Sequence, residues 1–364
     1  MKVLLLGEFS GMHHNLSVGL KELGVDVTLA SDGDAWKNYE RDIDLARDFK
    51  KSKGEFLVKV LKVLPKLSRY DIVQLNSYKF LYGTPFFNEI MFKSLTVLNK
   101  NVFLGAHGMD PVYINYALAK KLKYSVFQIP EIQRDQHIVM LKDVASNSQE
   151  IRLNNSIAKH AKGIVASAVG YYQAYSECFP NKIKYIPLSI DTRNYKYVSS
   201  IGSNPRKIKF FLGLMNGRVK RKGTDVILRV LKKLEKNYPS DVEVTVVHSV
   251  PFKQYQKLLN SSHVLCDQLY AYGIGLNGII GLSKGLIVAG GADEDMYEAL
   301  GEYKNRPIID INTTESEMLK SFEFLLDNKK ILNELSLKSR DFVVKHHDSI
   351  KVAQEYLDFW KQNL

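Results

Sequence analysis

Cysteine is scarce in this chain of 364 residues, which contains only Cys178 and Cys266. The two residues lie far apart and match no spacing typical of metal-binding or redox-active pairs. Structural disulfides belong mainly to secreted proteins, whereas isolated thiols remain reduced in the cytoplasm. We therefore expect two reduced core thiols, and the sequence favours a cytoplasmic protein.

Long apolar runs are also missing, because no stretch reaches the roughly 18 residues that a membrane span requires. The opening MKVLLLGEFSGMHH has one lysine and a short apolar stretch, followed at once by Glu8. This pattern predicts a first β-strand rather than a signal peptide. With 45% hydrophobic and 25% charged residues, the composition is that of a soluble globular protein. The length favours two domains.

Acidic residues are outnumbered, with 39 Asp and Glu against 51 Lys and Arg, which gives a net charge of +12. Such a charge indicates an anionic partner, for which nucleic acid, an acidic bilayer and a phosphorylated small molecule all qualify. No DNA- or RNA-reading motif is present, so we expect no nucleic-acid partner.

Short apolar strands alternate with amphipathic helices along the whole chain. Helices are predicted at 15–24 and 223–237. In the first half, strands are predicted at 2–7, 25–31, 71–76, 101–107, 163–168 and within 182–192. In the second half, they are predicted at 206–213, 242–249, 263–268 and 285–291. This alternation predicts two α/β halves, each a parallel sheet with helices on both faces. The join falls near SSIGSNP (199–205), which has linker composition. Ligands of such sheets bind at the carboxyl ends of the strands, so the cleft between the halves is the expected site.

The loop GEFSGMHHNL (7–16) follows the first strand and is neither a dinucleotide-binding glycine motif nor a P-loop. Its glycines, including Gly11, would let the backbone approach a ligand closely, although an ordinary turn explains them equally well. His13 and His14 begin the next helix. One of the two is expected to cap or pack, which leaves one to face a ligand.

The fourth strand ends in GAHGMDP (105–111). His107 is flanked by glycines at the carboxyl end of this strand, where it could contact the hydroxyls or phosphate of a ligand. A purely structural histidine is the alternative. Asp110, which precedes a proline, is predicted to be a turn residue.

The stretch MNGRVKRKGTDVIL (215–228) lies between the first strand and the first helix of the second half. Arginine offers a planar fork for phosphate oxygens, lysine a point charge, and the helix dipole adds to both. We expect Lys222, Arg218 and Gly223, which opens the helix, to bind a diphosphate. Lys220 and Arg221 are expected to be surface residues.

A glycine-rich segment, CDQLYAYGIGLNGIIGLSKGLIVAGG (266–291), follows a later strand. Its glycines, among them Gly275, precede or open a helix. Asn277 could contact a ribose or simply cap that helix, which is a common role of Asn.

In their order and spacing, these motifs resemble those of the GT-B glycosyltransferases. The likeness is greatest to the family-4-like retaining group of bacterial surface-polysaccharide biosynthesis. It covers nearly the whole chain and includes IPLSID at the end of the first half. The last segment, KHHDSIKVAQEYLDFW, resembles the helix that crosses back onto the first domain. The resemblance implies two Rossmann-like doubly wound domains facing an interdomain cleft. It assigns 1–190 to the acceptor and 191–345 to the donor, with 346–364 packing on the first domain.

This resemblance also implies an activity, the transfer of a sugar from a nucleotide-sugar donor to a hydroxyl of a glycan or lipid-linked acceptor. Retention of configuration without a metal is implied, and no cofactor is expected because the nucleotide sugar is itself a substrate. Gly11 and His13 would face donor and acceptor, His107 would be the catalytic residue near the donor sugar, and Arg218 with Lys222 would hold the diphosphate.

One departure from the family concerns two glutamates eight positions apart, of which the second usually binds the donor ribose. Tyr272 and Ile280 stand at those positions here, and no acid occurs in 268–292. Asn277 with Gly275, or an acid such as Glu294, could bind the ribose instead. The alternative is a catalytically silent nucleotide-sugar-binding or scaffold protein in a glycan assembly complex.

The segment KKSKGEFLVKVLKVLPKLSR (50–69) holds seven cations and one acid. As a helix interrupted by Pro65, it would carry lysines opposite an apolar face, a composition typical of helices that lie on anionic membranes. A helix packing its apolar face on the domain core is the alternative. Peripheral binding at the inner face of the cytoplasmic membrane would suit a polyprenyl-linked acceptor.

Overall fold

The chain forms two compact units in a computed structural model that describes residues 1–198, 201 and 205–364. The side chains of Trp36, Phe252 and Lys253 are not described, and the predicted linker at 199–205 lies, except for Ile201 and Pro205, outside the described residues. Unit 1 comprises Met1–Leu122, Arg134–Asp191 and Asp348–Leu364, and unit 2 comprises Lys123–Gln133 and Thr192–His347. The expected division assigned the whole first half to one domain, whereas Lys123–Gln133 clusters with unit 2.

Unit 1 is built on a seven-stranded parallel sheet with the order β3-β2-β1-β4-β5-β6-β7. Its strands are β1 (Lys2–Leu6), β2 (Asp26–Ser31), β3 (Ile43–Asp44), β4 (Ile72–Leu75), β5 (Asn101–Ala106), β6 (Ile164–Ala166) and β7 (Ile183–Tyr185). Its helices are α1 (Met12–Glu22), α2 (Lys53–Val63), α3 (Pro85–Leu98), α4 (Pro111–Leu118), α5 (Gln136–Ser146), α6 (Ser148–His160), α7 (Val169–Cys178) and α14 (Ser349–Gln362). The central strands are almost wholly apolar because helices cover both faces of the sheet.

The C-terminal helix α14 packs against α1 in unit 1, as the resemblance implied. Gly19 of α1 permits the close approach, because a Cβ there would lie 1.9 Å from the carbonyl oxygen of Ser349. Trp360 is fully buried, and its indole N–H donates to Gln74 Oε1 of β4 at 3.1 Å. The last helix is therefore part of the core of unit 1.

Unit 2 has a five-stranded parallel sheet with the order β12-β11-β10-β8-β9. Its strands are β8 (Ile208–Leu214), β9 (Val242–His248), β10 (Val264–Cys266), β11 (Ile287–Gly290) and β12 (Ile309–Asp310). Its helices are α8 (Thr224–Asn237), α9 (Phe252–Asn260), α10 (Leu276–Ser283), α11 (Glu294–Ala299), α12 (Glu315–Asp327) and α13 (Leu332–His346). The predicted class of two parallel-sheet α/β halves is confirmed.

Two details correct the sequence analysis. Cys178 is exposed at the end of α7, so only Cys266 is a core thiol. The strand predicted within 182–192 is limited to Ile183–Tyr185. Within the described residues, no helix combines the length and apolarity that a membrane crossing requires.

Candidate functional site

A cavity of about 290 Å³ opens in unit 1 beside the carboxyl ends of β1, β4 and β5. Gly7 and Glu8 after β1, Asn76 after β4 and His107 after β5 line it. Neighbouring parallel strands end at the same edge of the sheet, which brings these residues together although they are far apart in sequence. Of these residues, His107 was predicted from the sequence, Gly7 belongs to the glycine-containing loop 7–16, and Asn76 was not predicted.

Two histidines of unit 1, His13 and His107, are buried and neutral. His13 Nδ1 donates to the carbonyl of Gly7 at 2.8 Å, and burial lowers the pKa of His13 to about 4. His107 Nδ1 lies 3.0 Å from Ser167 Oγ. Burial, followed by the neighbouring His13, lowers the pKa of His107 to about 3. Neither ring can therefore attract a phosphate by charge at neutral pH, but both can exchange hydrogen bonds with a neutral group.

Three buried polar atoms of this cluster, His13 Nε2, His107 Nε2 and Asn76 Oδ1, have no hydrogen-bond partner among the described residues. Buried polar atoms are normally paired, so each such exception calls for an explanation. Since His13 is neutral and its Nδ1 carries the proton, its Nε2 is an acceptor. Asn76 Oδ1 is an acceptor as well. A ligand with hydroxyl groups would satisfy atoms of this kind.

The loop that contains Gly11 is held in a conformation that requires glycine. Gly11 precedes α1 with a φ of 79°, in the left-handed region, and a Cβ there would lie 2.9 Å from the ring of Tyr39. Its carbonyl accepts a hydrogen bond from Asn15 Nδ2 at 2.7 Å. The glycine thus shapes the start of α1, and it lies two residues before His13.

Asp110 anchors the loop that follows His107. One carboxylate oxygen accepts from the backbone N–H of Tyr113 at 2.9 Å and caps α4, and the other accepts from Tyr175 Oη at 2.9 Å. Burial raises the pKa of Asp110 to about 7. The residue predicted to occupy a turn is therefore a buried helix cap.

Glu8 is a cavity residue to which the sequence analysis gave no role. Its two oxygens accept from the backbone N–H groups of Phe9 at 2.7 Å and His14 at 2.8 Å, so the side chain closes the loop between β1 and α1. Burial outweighs these hydrogen bonds and raises the pKa of Glu8 to about 7. Its position directly after a strand was visible in the sequence, but its burial was not.

Replacing Glu8 by glutamine should change how stability depends on pH. Between the ordinary pKa of 4.5 and about 7, the folded protein holds a proton that the unfolded chain has lost. Stability is therefore lost as the pH rises through this interval. As the pH rises from about 4.5 to about 7, the free energy of unfolding of Glu8→Gln should therefore increase by about 3 kcal/mol relative to that of the wild type. Urea unfolding of both proteins across this pH range measures the difference. The other titratable groups are the same in both proteins, so their contributions cancel in this difference. A difference independent of pH would contradict the shifted pKa.

The position of His107 depends on the absence of a side chain at Gly105. A Cβ at Gly105 would lie 2.5 Å from His107 Cδ2 and 2.7 Å from the carbonyl oxygen of Asn76. Gly105→Ala should therefore displace the imidazole. Under the function proposed below, this should lower turnover about 100-fold, because a misplacement of about 1 Å can cost that much. Gly108→Ala is the control, because nothing lies within 4 Å of a Cβ at Gly108. Equal rates in the two variants would show that the ring position does not matter.

In unit 2, the turn before α8 brings the predicted diphosphate-binding residues together. Gly223 has a φ of 63°, and a Cβ there would lie 2.8 Å from the side chain of Leu269. The backbone N–H of Leu269 donates to the carbonyl of Lys222 at 2.9 Å. This contact joins the turn to the loop after β10, so the two glycine-containing segments of the second half meet.

The four cations of this turn differ in their surroundings. Arg221 is half-buried and donates to the carbonyl of Gly217 at 2.7 Å, so it belongs to the turn itself rather than to the fully exposed surface. Arg218 and Lys220 are exposed, and Lys222 is half-buried. Among the described residues, the side chains of Arg218 and Lys222 have no hydrogen-bond or ion-pair partner. They therefore remain available to an anion at the positive end of α8.

At the start of α10, Asn277 does not cap the helix. The capping position is Gly275, whose backbone N–H donates to Asp267 Oδ2 at 2.7 Å. Asn277 Oδ1 instead accepts from Tyr255 Oη at 3.0 Å. Asp267, a buried carboxylate at the end of β10, is a further residue that the sequence analysis missed. Its place directly after a strand was again the only available signal.

The acids after β11 are engaged with other protein groups. Glu294 is exposed and forms a two-pronged ion pair with Arg306, at 2.5 and 2.7 Å. Asp293 is buried and accepts from Lys123 and, at 2.9 Å, from Tyr124 Oη. The positions of the missing family glutamates hold buried side chains, Tyr272 and Ile280.

Comparisons with known proteins bear on the fold. No protein-family model matches the sequence, and no curated protein matches it. Among solved structures, HepE from Anabaena in complex with UDP-glucose has a TM-score of 0.62 at 12% identity and covers 100% of both chains. Sucrose-phosphate synthase from Thermosynechococcus elongatus has a TM-score of 0.61 at 13% identity, over 100% of this chain and 99% of the other.

A protein from Listeria monocytogenes described as a UDP-N-acetylglucosamine 2-epimerase has a TM-score of 0.55 at 10% identity, over 98% of this chain and 95% of its own. At such identities, the likeness establishes the architecture, and the chain has the GT-B fold. The same fold carries different chemistry in these proteins, so the activity has to be argued from the site.

Proposed function

We propose that the protein is a glycosyltransferase, which moves a sugar from a nucleotide-sugar donor to a hydroxyl of a glycan or lipid-linked acceptor. The observation that carries the proposal is the turn at Lys222 and Gly223, which offers two unpartnered cations and the N-terminus of α8. HepE, which has the same fold, has been solved with UDP-glucose. In this proposal unit 2 binds the donor and unit 1 binds the acceptor.

The positive turn has a chemical task in such a reaction. When the bond between the sugar and the diphosphate breaks, negative charge accumulates on the leaving nucleoside diphosphate. Arg218, Lys222 and the backbone N–H groups at the start of α8 would stabilise that charge without reorganising. These groups support transfer that requires no metal ion. We include retention of configuration in the proposal because the sequence resembles a retaining group.

His107 is proposed to be the catalytic residue that touches the transferred sugar. It is neutral, and its free Nε2 suits a hydrogen bond to a sugar hydroxyl better than an ionic contact with phosphate. Asn76 Oδ1 adds an acceptor in the same cavity. Polar groups at fixed positions orient a sugar by its hydroxyl pattern, which is how a polar pocket achieves specificity.

For the donor ribose, we propose Asn277, in the helix that Gly275 caps, rather than Glu294. The ion pair with Arg306 occupies both oxygens of Glu294. Asn277 uses its Oδ1 for Tyr255, so its amide N–H₂ group remains available as a donor to a ribose hydroxyl. In the family that the sequence resembles, a glutamate carboxylate accepts a hydrogen bond from the ribose. Here the neutral amide of Asn277 would donate one instead.

A catalytically silent nucleotide-sugar-binding protein is the second candidate. The observation that favours it is the buried Ile280, which leaves no carboxylate at the usual ribose-binding position. Such a protein would bind a donor nucleotide without turning it over. In either case, we propose a cytoplasmic role in cell-surface polysaccharide biosynthesis.

The test is a thermal-shift panel of nucleoside diphosphates and nucleotide sugars, followed by a nucleotide-release assay with mixed glycan and lipid-linked acceptors. A ligand that binds only the folded state raises stability by about 2.7 kcal/mol at 100 times its Kd. Stabilisation by one donor together with acceptor-dependent release of its nucleotide supports the transferase. Stabilisation without release supports the silent binder, and stabilisation by no nucleotide overturns both.

A further inference from the structure

The helix α2 exposes apolar side chains that a soluble surface helix would normally bury. Phe56 and Val60 pack into the core of unit 1, as expected for a surface helix. Leu57, Val58 and Leu61 are nevertheless 42%, 49% and 53% exposed. The apolar part of the helix is therefore wider than the core needs, and half of it remains in solvent.

Aromatic side chains extend this apolar surface beyond the helix. Phe49, just before α2, is 74% exposed, and its ring meets that of Tyr82 edge to face with centroids 5.6 Å apart. The ring of Tyr82 also meets that of Phe56 at 5.8 Å. The guanidinium of Arg47 lies over the rings of both Phe49 and Tyr82, at 4.9 and 4.6 Å. Tyr82 also lines the unit 1 cavity, so the surface reaches the cavity rim.

Exposed cations precede and follow the apolar side chains along the chain. Segment 50–69 contains seven cations, of which Lys59 is paired with Asp44. The other six are exposed and form no ion pair with a described residue: Lys50, Lys51, Lys53, Lys62, Lys66 and Arg69. The single acid of the segment, Glu55, is held in the cap of α2 by Ser52. The positive charge is thus not compensated locally.

We propose that Phe49, Leu57, Val58, Leu61 and the six exposed cations form a docking surface for an anionic lipid bilayer. The chemistry of the surface selects this partner. A nucleic acid would neutralise the cations but leave the apolar side chains in water, whereas a bilayer offers anionic headgroups above an apolar layer. Because Tyr82 joins this surface to the cavity, docking would place the cavity rim at the level of the headgroups. Docking to a bilayer is independent of the proposed function, because it requires neither a bound nucleotide sugar nor catalysis.

The test is sedimentation of the full-length protein with vesicles, in the absence of any nucleotide. Vesicles of phosphatidylcholine are compared with vesicles that also contain phosphatidylglycerol. The wild type should bind the anionic vesicles at least about tenfold more tightly than the neutral ones, and salt should weaken the binding. Two variants probe the surface, Leu57→Ser with Leu61→Ser, and Lys50, Lys51 and Lys53 all changed to serine. Each should lower binding about tenfold or more.

Matched controls separate the surface from the overall charge of the protein. The control for the lysine variant changes Lys232, Lys233 and Lys236, which are exposed on α8, to serine. The control for the leucine variant is Leu337→Ser, because Leu337 is half-exposed on α13. These controls should leave vesicle binding unchanged. The proposal is overturned if the wild type ignores anionic vesicles, if the control lysines matter as much as those before α2, or if duplex DNA competes fully with the vesicles. All altered side chains are exposed, so the melting temperatures of the variants should be unchanged. Unchanged melting temperatures would show that the variants are folded.

Discussion

Replacing Lys222 by alanine should weaken the binding of the stabilising nucleoside diphosphate by roughly 10- to 100-fold. The reason is that a hydrogen bond between charged groups contributes about 1.5–3 kcal/mol, and each 1.4 kcal/mol corresponds to a factor of ten in affinity. The Lys222 side chain has no hydrogen-bond or ion-pair partner among the described residues, so the substitution breaks no polar interaction within the protein. Calorimetric titration of the wild type and the variant measures the change directly.

The control for this prediction is Lys220→Ala, two residues earlier in the same turn. Both substitutions remove one positive charge, but we expect Lys220 to be a surface residue, and its side chain is exposed. Its removal should therefore alter affinity less than about twofold, in line with the small energies of exposed charges. Equal losses would show that the turn acts only through its general charge. No loss in either variant would mean that the diphosphate binds elsewhere.

The parts of the site that could be predicted from sequence are those set by local order along the chain. His107 and Gly223 were found because a strand, a glycine-containing loop and a helix follow one another, and such loops lie at the carboxyl ends of parallel strands. The strands β3 and β12 were not predicted. Each has only two residues, too few to show an apolar period.

The parts that could not be predicted depend on contacts between distant segments. Glu8 and Asp267 are ordinary acids in the sequence, and only the packing of the sheet edge shows that they are buried. The pairing of Glu294 with Arg306 spans twelve positions through a loop, so nothing in the local pattern indicated that this acid is engaged. A helical wheel likewise gave one apolar face for α2, whereas the structure divides that face between core and solvent.

The second large effect that we expect is the loss of stability caused by Gly19→Ala. In an exposed helix, alanine is more stable than glycine by about 0.5–1 kcal/mol, so local preference favours the substitution. At Gly19, however, the new Cβ would lie 1.9 Å from the carbonyl oxygen of Ser349 and 2.9 Å from the Cβ of Ala353. Both are parts of α14 that cannot rotate away, so α1 and α14 must separate. We expect a destabilisation of about 3 kcal/mol or more, the upper range for overpacked cores.

Gly54→Ala, in α2, is the matched control because it changes the same residue type in another helix. The nearest atom to a Cβ at Gly54 is Ser52 Oγ, at 3.7 Å, which is an ordinary contact. This variant should gain up to about 1 kcal/mol from helix preference alone. Urea unfolding of the three proteins should therefore give shifts of opposite sign for two identical substitutions. If Gly19→Ala proved as stable as the wild type, α14 would have to be free to move off α1, and the close contact between the helices would not be essential to unit 1.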